Sequence, residues 1–323
     1  MCARAARSTG RILVGTTSWT ENTLLERGRF YPAEVRSPEE RLQYYASLFP
    51  IVEVDSTFYA LPSLRDATLW TERTDPGFVF DIKAFRLFTE LRTPVRSLPV
   101  DIRASVATAD ANVFYDKLPE AIRKELWQRF RAALEPLRSV DRLGTVLFQL
   151  APSLLCNPAG LRHIAHCAEQ MSGYQIAVEL RDGSWFSEKQ REQTARFLRE
   201  HGVAQVATDE PQNKNFSVPS LWAATADVAV VRLHGRQRRN VKKRGPHFAA
   251  ERLAYRYTDE ELTSFTGPVT RLAQQAREVH VLFNNCYSDW AQRNAARFTE
   301  MLGKRAVTMR VPRVDAPRPA ARR

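Results

Sequence analysis

Charged residues recur at alternate positions of short apolar segments, and in a β-strand residues of one parity share a face. In Ile51-Val52-Glu53-Val54-Asp55-Ser56-Thr57 the valines take one face while Glu53, Asp55 and Thr57 take the other. The same alternation joins Asp81 to Lys83, Glu179 to Arg181, and Arg232 to His234. The acidic stock (Glu53, Asp55, Asp81, Glu179) nearly balances the basic one (Lys83, Arg181, Arg232). Buried charges must be paired, so one reading is an internal ion network that holds the fold together. The other is catalytic. Glu53, with Asp55 on its face, is pushed toward protonation by like charge and burial and is the candidate acid. Glu179, kept ionised by Arg181, is the candidate base, and Lys83, Arg232 and His234 can hold an anionic group or stabilise developing negative charge.

Around these lie polar and aromatic residues suited to binding. Trp19, Phe58, Tyr59 and Trp185 follow predicted strand ends, where they either stack on a ring or base or cap the core. Gln149, Asp209 and the pair Asn284-Asn285 also end strands, and at least one asparagine should face the site. His234 has an equal alternative as a plain turn residue before Gly235. Glu53, Glu179, Asp209 and His234 offer a minority alternative as ligands of one divalent ion. No cofactor is otherwise expected. The four cysteines form no CxxC pair, so neither a structural zinc nor a disulfide framework is expected.

Eight segments must position this chemistry: Ile12–Gly15, Ile51–Thr57, Phe78–Ala84, Gly144–Leu150, Gln175–Leu180, Val203–Thr208, Val228–Leu233 and Val279–Asn284. Helix-start signatures fall between them. Ser37-Pro38-Glu39-Glu40 combines an N-cap serine, proline at the first position and a capping-box glutamate. Asn157-Pro158, Ser187 with Gln190, and Thr258 with Glu261 repeat the signal. Strand–helix alternation on this scale predicts a single α/β chain folded as a (β/α)₈ TIM barrel, the open doubly wound sheet being its competitor. No dinucleotide or phosphate-loop motif favours the competitor. Extended loops follow strands three and seven, on the face where such barrels build active sites.

The chain of 323 residues carries a net charge of +12. That charge is concentrated in a basic amino-terminal arm (1–11), in an Arg- and Pro-rich tail (309–323) and in the run Arg236, Arg238, Arg239, Lys242, Lys243 and Arg244. The barrel between them, 12–308, is otherwise almost neutral. The run reads as a mobile electrostatic collar that attracts anions, or as a merely solubilising loop, and the tail reads as disordered. The chain shows no membrane-length apolar segment and no secretory signal pattern, so the expectation is a cytoplasmic protein of undetermined oligomeric state.

The same segments resemble the YecE-like TIM-barrel family, domain of unknown function 72. The likeness rests on Val14-Gly15-Thr16-Thr17-Ser18-Trp19, Phe30-Tyr31-Pro32, Glu53-Val54-Asp55-Ser56-Thr57-Phe58-Tyr59, and Phe80-Asp81-Ile82-Lys83 with Arg86. It continues through Gln149-Leu150-Ala151-Pro152, Val178-Glu179-Leu180-Arg181 before Trp185, and Val231-Arg232-Leu233-His234-Gly235. Tyr255-Arg256-Tyr257 and Phe283-Asn284-Asn285 close it. Two positions depart: Gly-Thr-Thr-Ser-Trp stands where Gly-Thr-Ser-Gly-Trp is frequent, and Glu90 where histidine is common. The resemblance implies a barrel similar in architecture to endonuclease IV and xylose isomerase. It implies no settled activity. Three functions stay open: an enzyme on a phosphorylated or nucleic-acid substrate, a non-catalytic nucleic-acid-binding barrel, and a carbohydrate-active hydrolase.

Overall fold

Eight parallel strands close on one another, each bonded to its sequence neighbour and the last to the first. They are β1 (Arg11–Thr16), β2 (Ile51–Val54), β3 (Val79–Lys83), β4 (Leu143–Gln149), β5 (Ile176–Glu179), β6 (Ala204–Asp209), β7 (Val228–Leu233) and β8 (Glu278–Phe283). The computed structural model describes residues 9–106, 111–211, 221–236 and 254–309. All eight predicted strands are present, and the barrel rather than the open sheet is what forms.

Outside the barrel pack α1 (Pro38–Leu48), α2 (Leu64–Glu72), α3 (Glu120–Arg138), α4 (Pro158–Gln170), α5 (Arg191–Glu200), α6 (Asp259–Ala273) and α7 (Trp290–Leu302). The capping boxes of α1 and α6 form as their sequences predict: Ser37 and Thr258 accept from Glu40 N and Glu261 N, and both glutamates reach back. The Ser187–Gln190 signature does not cap a helix. Ser187 closes the 3-10 turn Gly183–Phe186, and α5 starts later, behind an uncapped Gln190. The alternation is also incomplete, since no helix lies between β6 and β7 among the described residues. After β3 the chain makes a small antiparallel ribbon, Thr93–Pro94 with Asn112–Val113, before α3.

One layer of apolar side chains fills the barrel and another glues helices to its outside. Leu13, Ile51, Leu147, Val206, Val230 and Leu282 belong to the inner cluster. The seam between β1 and β2 is narrow: their pairing is confined to Thr16 with Val52, and a Cβ on Gly15 would lie 2.0 Å from the Ile51 carbonyl oxygen. The Tyr45 hydroxyl of α1 fills that seam, accepting from Thr16 N at 2.9 Å and donating to Ile51 O at 3.1 Å. It thereby satisfies two backbone groups that the strands leave unpaired.

Strand β2 is shorter than its alternating pattern. The chain leaves the ladder after Val54 and enters the 3-10 turn Asp55–Phe58. Thr57 Oγ1 donates to the carbonyls of Val54 at 2.8 Å and Lys83 at 2.6 Å, a local bond that competes with strand extension. Asp55 consequently sits on the rim of the barrel instead of continuing its inner wall.

Toward the amino ends of the strands the barrel holds an ion pair. Asp81 bonds His280 Nδ1 at 3.0 Å, and the second nitrogen of His280 lies 3.4 Å from Glu278. Both Asp81 and His280 are fully buried. Gly144 makes room for them: a Cβ there would stand 2.3 Å from Asp81 Oδ1. Burial disfavours the imidazolium, but Asp81 and Glu278 outweigh it and raise the His280 pKa to about 9. Its folded-state pKa thus exceeds the unfolded value of about 6.5, so this stabilisation is complete below that value and lost as pH rises through the folded one. His280→Gln should destabilise the fold by about 3–5 kcal/mol at pH 7 by stranding Asp81. Urea denaturation from pH 6 to 10 should show the gap from wild type closing at the alkaline end. A gap independent of pH would show that His280 is not held as a cation.

Candidate active site

Glu53, Gln149, Glu179 and Arg232 point into the barrel at the carboxyl ends of their strands. Register puts Gln149 beside Glu179 on β4 and β5, and Thr208 beside Arg232 on β6 and β7. Arg232 is the hub. Its Nε and Nη2 donate to the two oxygens of Glu53 at 2.9 and 2.7 Å, and its Nη1 donates to Glu179 Oε2 and, at 3.3 Å, to Gln149 Oε1. Glu53, Glu179 and Arg232 are all 0% exposed.

A second ring lies nearer the rim. Arg181 Nη1 bridges Glu179 at 2.7 Å and Glu210 at 3.0 Å. The His234 backbone N–H donates to the Asp209 carbonyl, and its ring stands over Glu179, with Nε2 3.3 Å from Oε1 yet without a well-aligned hydrogen bond. Thr17 Oγ1 donates to Asn284 Oδ1 at 2.6 Å, and Asn284 Nδ2 donates to His234 Nδ1 at 2.8 Å. An acceptor Nδ1 leaves the neutral imidazole's proton on Nε2. On the opposite side Lys83 Nζ donates to Asp55 Oδ1 at 2.6 Å and lies 4.3 Å from the centre of the Phe58 ring.

The two central carboxylates experience unlike environments. Burial pushes Glu53 up to about 7, against the pull of Arg232 and Lys83, and Asp55 adds to the rise. Burial also penalises Glu179, but Arg232, His234 and Arg181 together overcome it and hold that carboxyl well below the usual range. One guanidinium serves two acids, and Glu179 has the additional partners. Burial keeps His234 below its ordinary pKa and hence neutral at pH 7.

Several expected site residues stand elsewhere. Asp209 shares the parity of Leu233, not of Arg232, so it faces the helices, bonded to Tyr257 Oη at 2.8 Å and to Arg236 at 2.9 Å. It does not converge with Glu53, Glu179 and His234, so those four residues do not form one ligand set. Among the described residues no group of three or more His, Cys, Asp or Glu is placed to hold a metal. Trp185 is wholly buried, donating to the Leu154 carbonyl, and cannot stack on a ligand as it stands. Asn285 ties Tyr255 O to Asn294 Oδ1 behind the rim, so of the asparagine pair Asn284 alone serves the site. Arg232, expected to touch substrate, is consumed by its carboxylates. Arg236 is anchored by Asp209 and Glu261 and lies 5.5 Å from the Phe265 ring, which removes it from a mobile collar. Arg238, Arg239, Lys242, Lys243 and Arg244 lie outside the described residues, as do positions 1–8 and 310–323.

Trp19 and Tyr59 flank the rim. Trp19 meets Trp70 of α2 edge-on at 6.1 Å, beside a cavity of about 340 Å³ lined by Ser18, Trp19, Glu53, Asp55, Trp70 and Arg73 among others. Tyr59 is 56% exposed. Sequence reasoning missed three participants: Glu210, Thr17 and, at the other end, His280. Parity extended one residue past β6 would have paired Glu210 with the inner face of Thr208. His280 between Val279 and Val281 was a visible polar interruption.

The fold and this arrangement define a TIM barrel with a buried ionic cluster under its carboxyl-terminal opening. The family described as Protein of unknown function DUF72 matches residues 13–321. The chain belongs to that family. It is 31% identical over 294 residues to UPF0759 protein YunF of Bacillus subtilis (strain 168), covering 90% of this chain and 94% of YunF. UPF0759 protein YecE of Escherichia coli O157:H7 is 26% identical over 241 residues, with 69% and 74% covered. A crystal structure of a DUF72 family protein from Thermotoga maritima MSB8 superposes with a TM-score of 0.71 at 31% identity, covering 90% of this chain and 99% of that one. One from Enterococcus faecalis V583 gives 0.75 at 23% identity, with 94% and 100% covered. No described helix is long and apolar enough to cross a membrane.

Arg232 should be indispensable to stability. Arg232→Met confronts two buried carboxylates without their shared cation, at a cost of about 3–5 kcal/mol at pH 7. Each folded-state carboxyl pKa then rises, so the deficit should shrink as pH is lowered from 7 to 5. Chemical denaturation of wild type and variant across that range measures it; a deficit constant with pH would mean the carboxylates do not confront one another.

Proposed function

We propose that this barrel is an enzyme performing acid–base chemistry on an anionic substrate, a phosphorylated or nucleic-acid compound, at the carboxyl ends of its strands. The observation that carries this reading is the division of two buried carboxylates on one arginine. Glu53 gains or loses a proton near neutrality while Glu179 stays ionised. Environments that separate two acids in this way assign them different tasks.

Glu53 is the proton donor. Glu179 is better suited to a fixed anion than to the base expected from sequence, because Arg232, Arg181 and His234 already surround its oxygens. Its charge fixes Arg181 and orients His234. The neutral His234 ring, steadied by Asn284, keeps its Nε2–H in a poorly aligned contact 3.3 Å from Glu179 Oε1, and that N–H is the group we assign to an oxyanion as negative charge develops. The near neutrality of the cluster limits unselective attraction, and Arg238, Arg239, Lys242, Lys243 and Arg244 supply long-range steering for an anionic substrate.

The self-paired cluster also supports a second reading, in which the ions are structural and the barrel binds nucleic acid without turning it over. A screen of sugar phosphates, mononucleotides and short oligonucleotides separates the two. Glu53→Gln keeps the shape of the side chain and should lower kcat by about 10²–10⁴-fold on the substrate that wild type converts. The wild-type rate should fall as pH rises through about 7, where the acid form of Glu53 is lost. Turnover that survives Glu53→Gln removes Glu53 from the chemistry. Oligonucleotide binding with no turnover across the screen selects the binding module.

A further inference from the structure

Lys83, Arg181, Arg232 and Arg236 each have a carboxylate partner at the rim. Arg86 has none among the described residues. It opens the 3-10 turn Arg86–Thr89 directly beyond β3. Its Nη2 donates to the Arg92 carbonyl at 2.7 Å, its buried Nε makes no hydrogen bond, and its guanidinium carbon lies 5.5 Å from the centre of the Phe58 ring. Lys83 Nζ lies over the same ring. Two cations therefore share one aromatic ring, and the carboxylate beside it, Asp55, is bonded to Lys83. Glu90 is the acidic residue nearest in sequence, but with its backbone in the left-handed region (φ 61°) it pairs with His163 Nδ1 at 3.1 Å.

Half-burying a guanidinium with no counter-charge is unfavourable, and an arriving anion relieves it. Burial depresses the Arg86 pKa, and Tyr59 is the neighbour that opposes the fall. Tyr59 packs edge-on against Phe58 at 5.2 Å and leaves more than half its surface to solvent. The remaining cations of the cluster cannot recruit an anion without breaking an existing pair. Arg86 can.

We infer that Arg86 anchors the phosphoryl group of the substrate, with Tyr59 covering the ring attached to it. This rests on the proposed anionic substrate, and adds where its charge is held. The group comes either from a small phosphorylated metabolite or from a nucleic-acid end. Arginine suits it because its planar fork can give two charge-assisted hydrogen bonds to phosphoryl oxygens, which lysine cannot reproduce.

Calorimetric titration with adenosine 5′-monophosphate against adenosine, and with a 5′-phosphorylated tetranucleotide against its 5′-hydroxyl form, tests the anchor. Wild type should favour the phosphorylated member of at least one pair by about tenfold or more, a typical return for charged hydrogen bonds. Arg86→Gln should abolish that preference, and Arg86→Lys should restore part of it. Without ligand, Arg86→Gln should melt at or above the wild-type temperature, because it removes an uncompensated cation. A merely structural arginine would lower it. Preference for the mononucleotide identifies a small-molecule source and preference for the oligonucleotide a nucleic-acid end; both support the anchor when Arg86 is required. Equal phosphate preference in wild type and Arg86→Gln overturns it, as does no preference in wild type. Arg86-dependent binding with no turnover anywhere in the screen would sink the catalytic reading and leave the anchor standing.

Discussion

Arg232 holds the upper barrel together by serving two acids at once. Its guanidinium lies across the interior from β7, reaching Glu53 on β2 and Glu179 on β5, strands far apart in sequence and on different arcs of the barrel. A lone buried charge of any of the three would be prohibitively costly, so each makes the others tolerable. An aliphatic filling of the same space could stabilise the barrel as well or better. The ionic filling instead places a charged cluster under the open end, separate from the buried Asp81–His280 pair toward the amino ends.

The imbalance within this cluster gives it chemical character. One cation divided between two carboxylates leaves one of them short, and Arg181 and His234 decide which. Glu53 is left with Arg232 and the more distant influence of Lys83, whose own bond goes to Asp55. The rim shows the same logic. Every pairing that satisfies Lys83 and Arg181 withdraws those cations from ligands, which throws attention onto the unpaired Arg86. At the opposite end the second carboxylate has a cation of its own, because Glu278 bonds Arg11 at 3.1 Å as well as facing His280, and Gly144 leaves room for the Asp81–His280 pair.

The departure of Glu90 from the family pattern fits this picture. Together with His163 it forms a local pair on the outer side of the β3 loop, and the His163 pKa rises to about 10 despite burial, through Cys167 and Glu90. The loop is thereby pinned to α4 without supplying Arg86 with a counter-charge.

Alternation along single strands determined a good deal. Short apolar or alternating segments located all eight strands, and parity singled out Glu53, Glu179, Arg181 and Arg232 as inward polar residues, since parity is a property of each strand alone. Local capping chemistry likewise set the starts of α1 and α6. Partnership was another matter. Nothing in the sequence says that Arg232 bonds Glu53 179 positions away, or that Asp81 meets His280 199 positions on, because register around a closed barrel is fixed by all its strands together. The end of β2 was equally beyond local reading. Asp55 left the inner wall because Thr57 bonds two carbonyls, whereas the outward face of Asp209 follows from the parity it shares with Ala207 and was legible along β6. Residue types showed which side chains were chemically able, but only closure of the barrel decided which charges neutralise one another and which one is left without a partner.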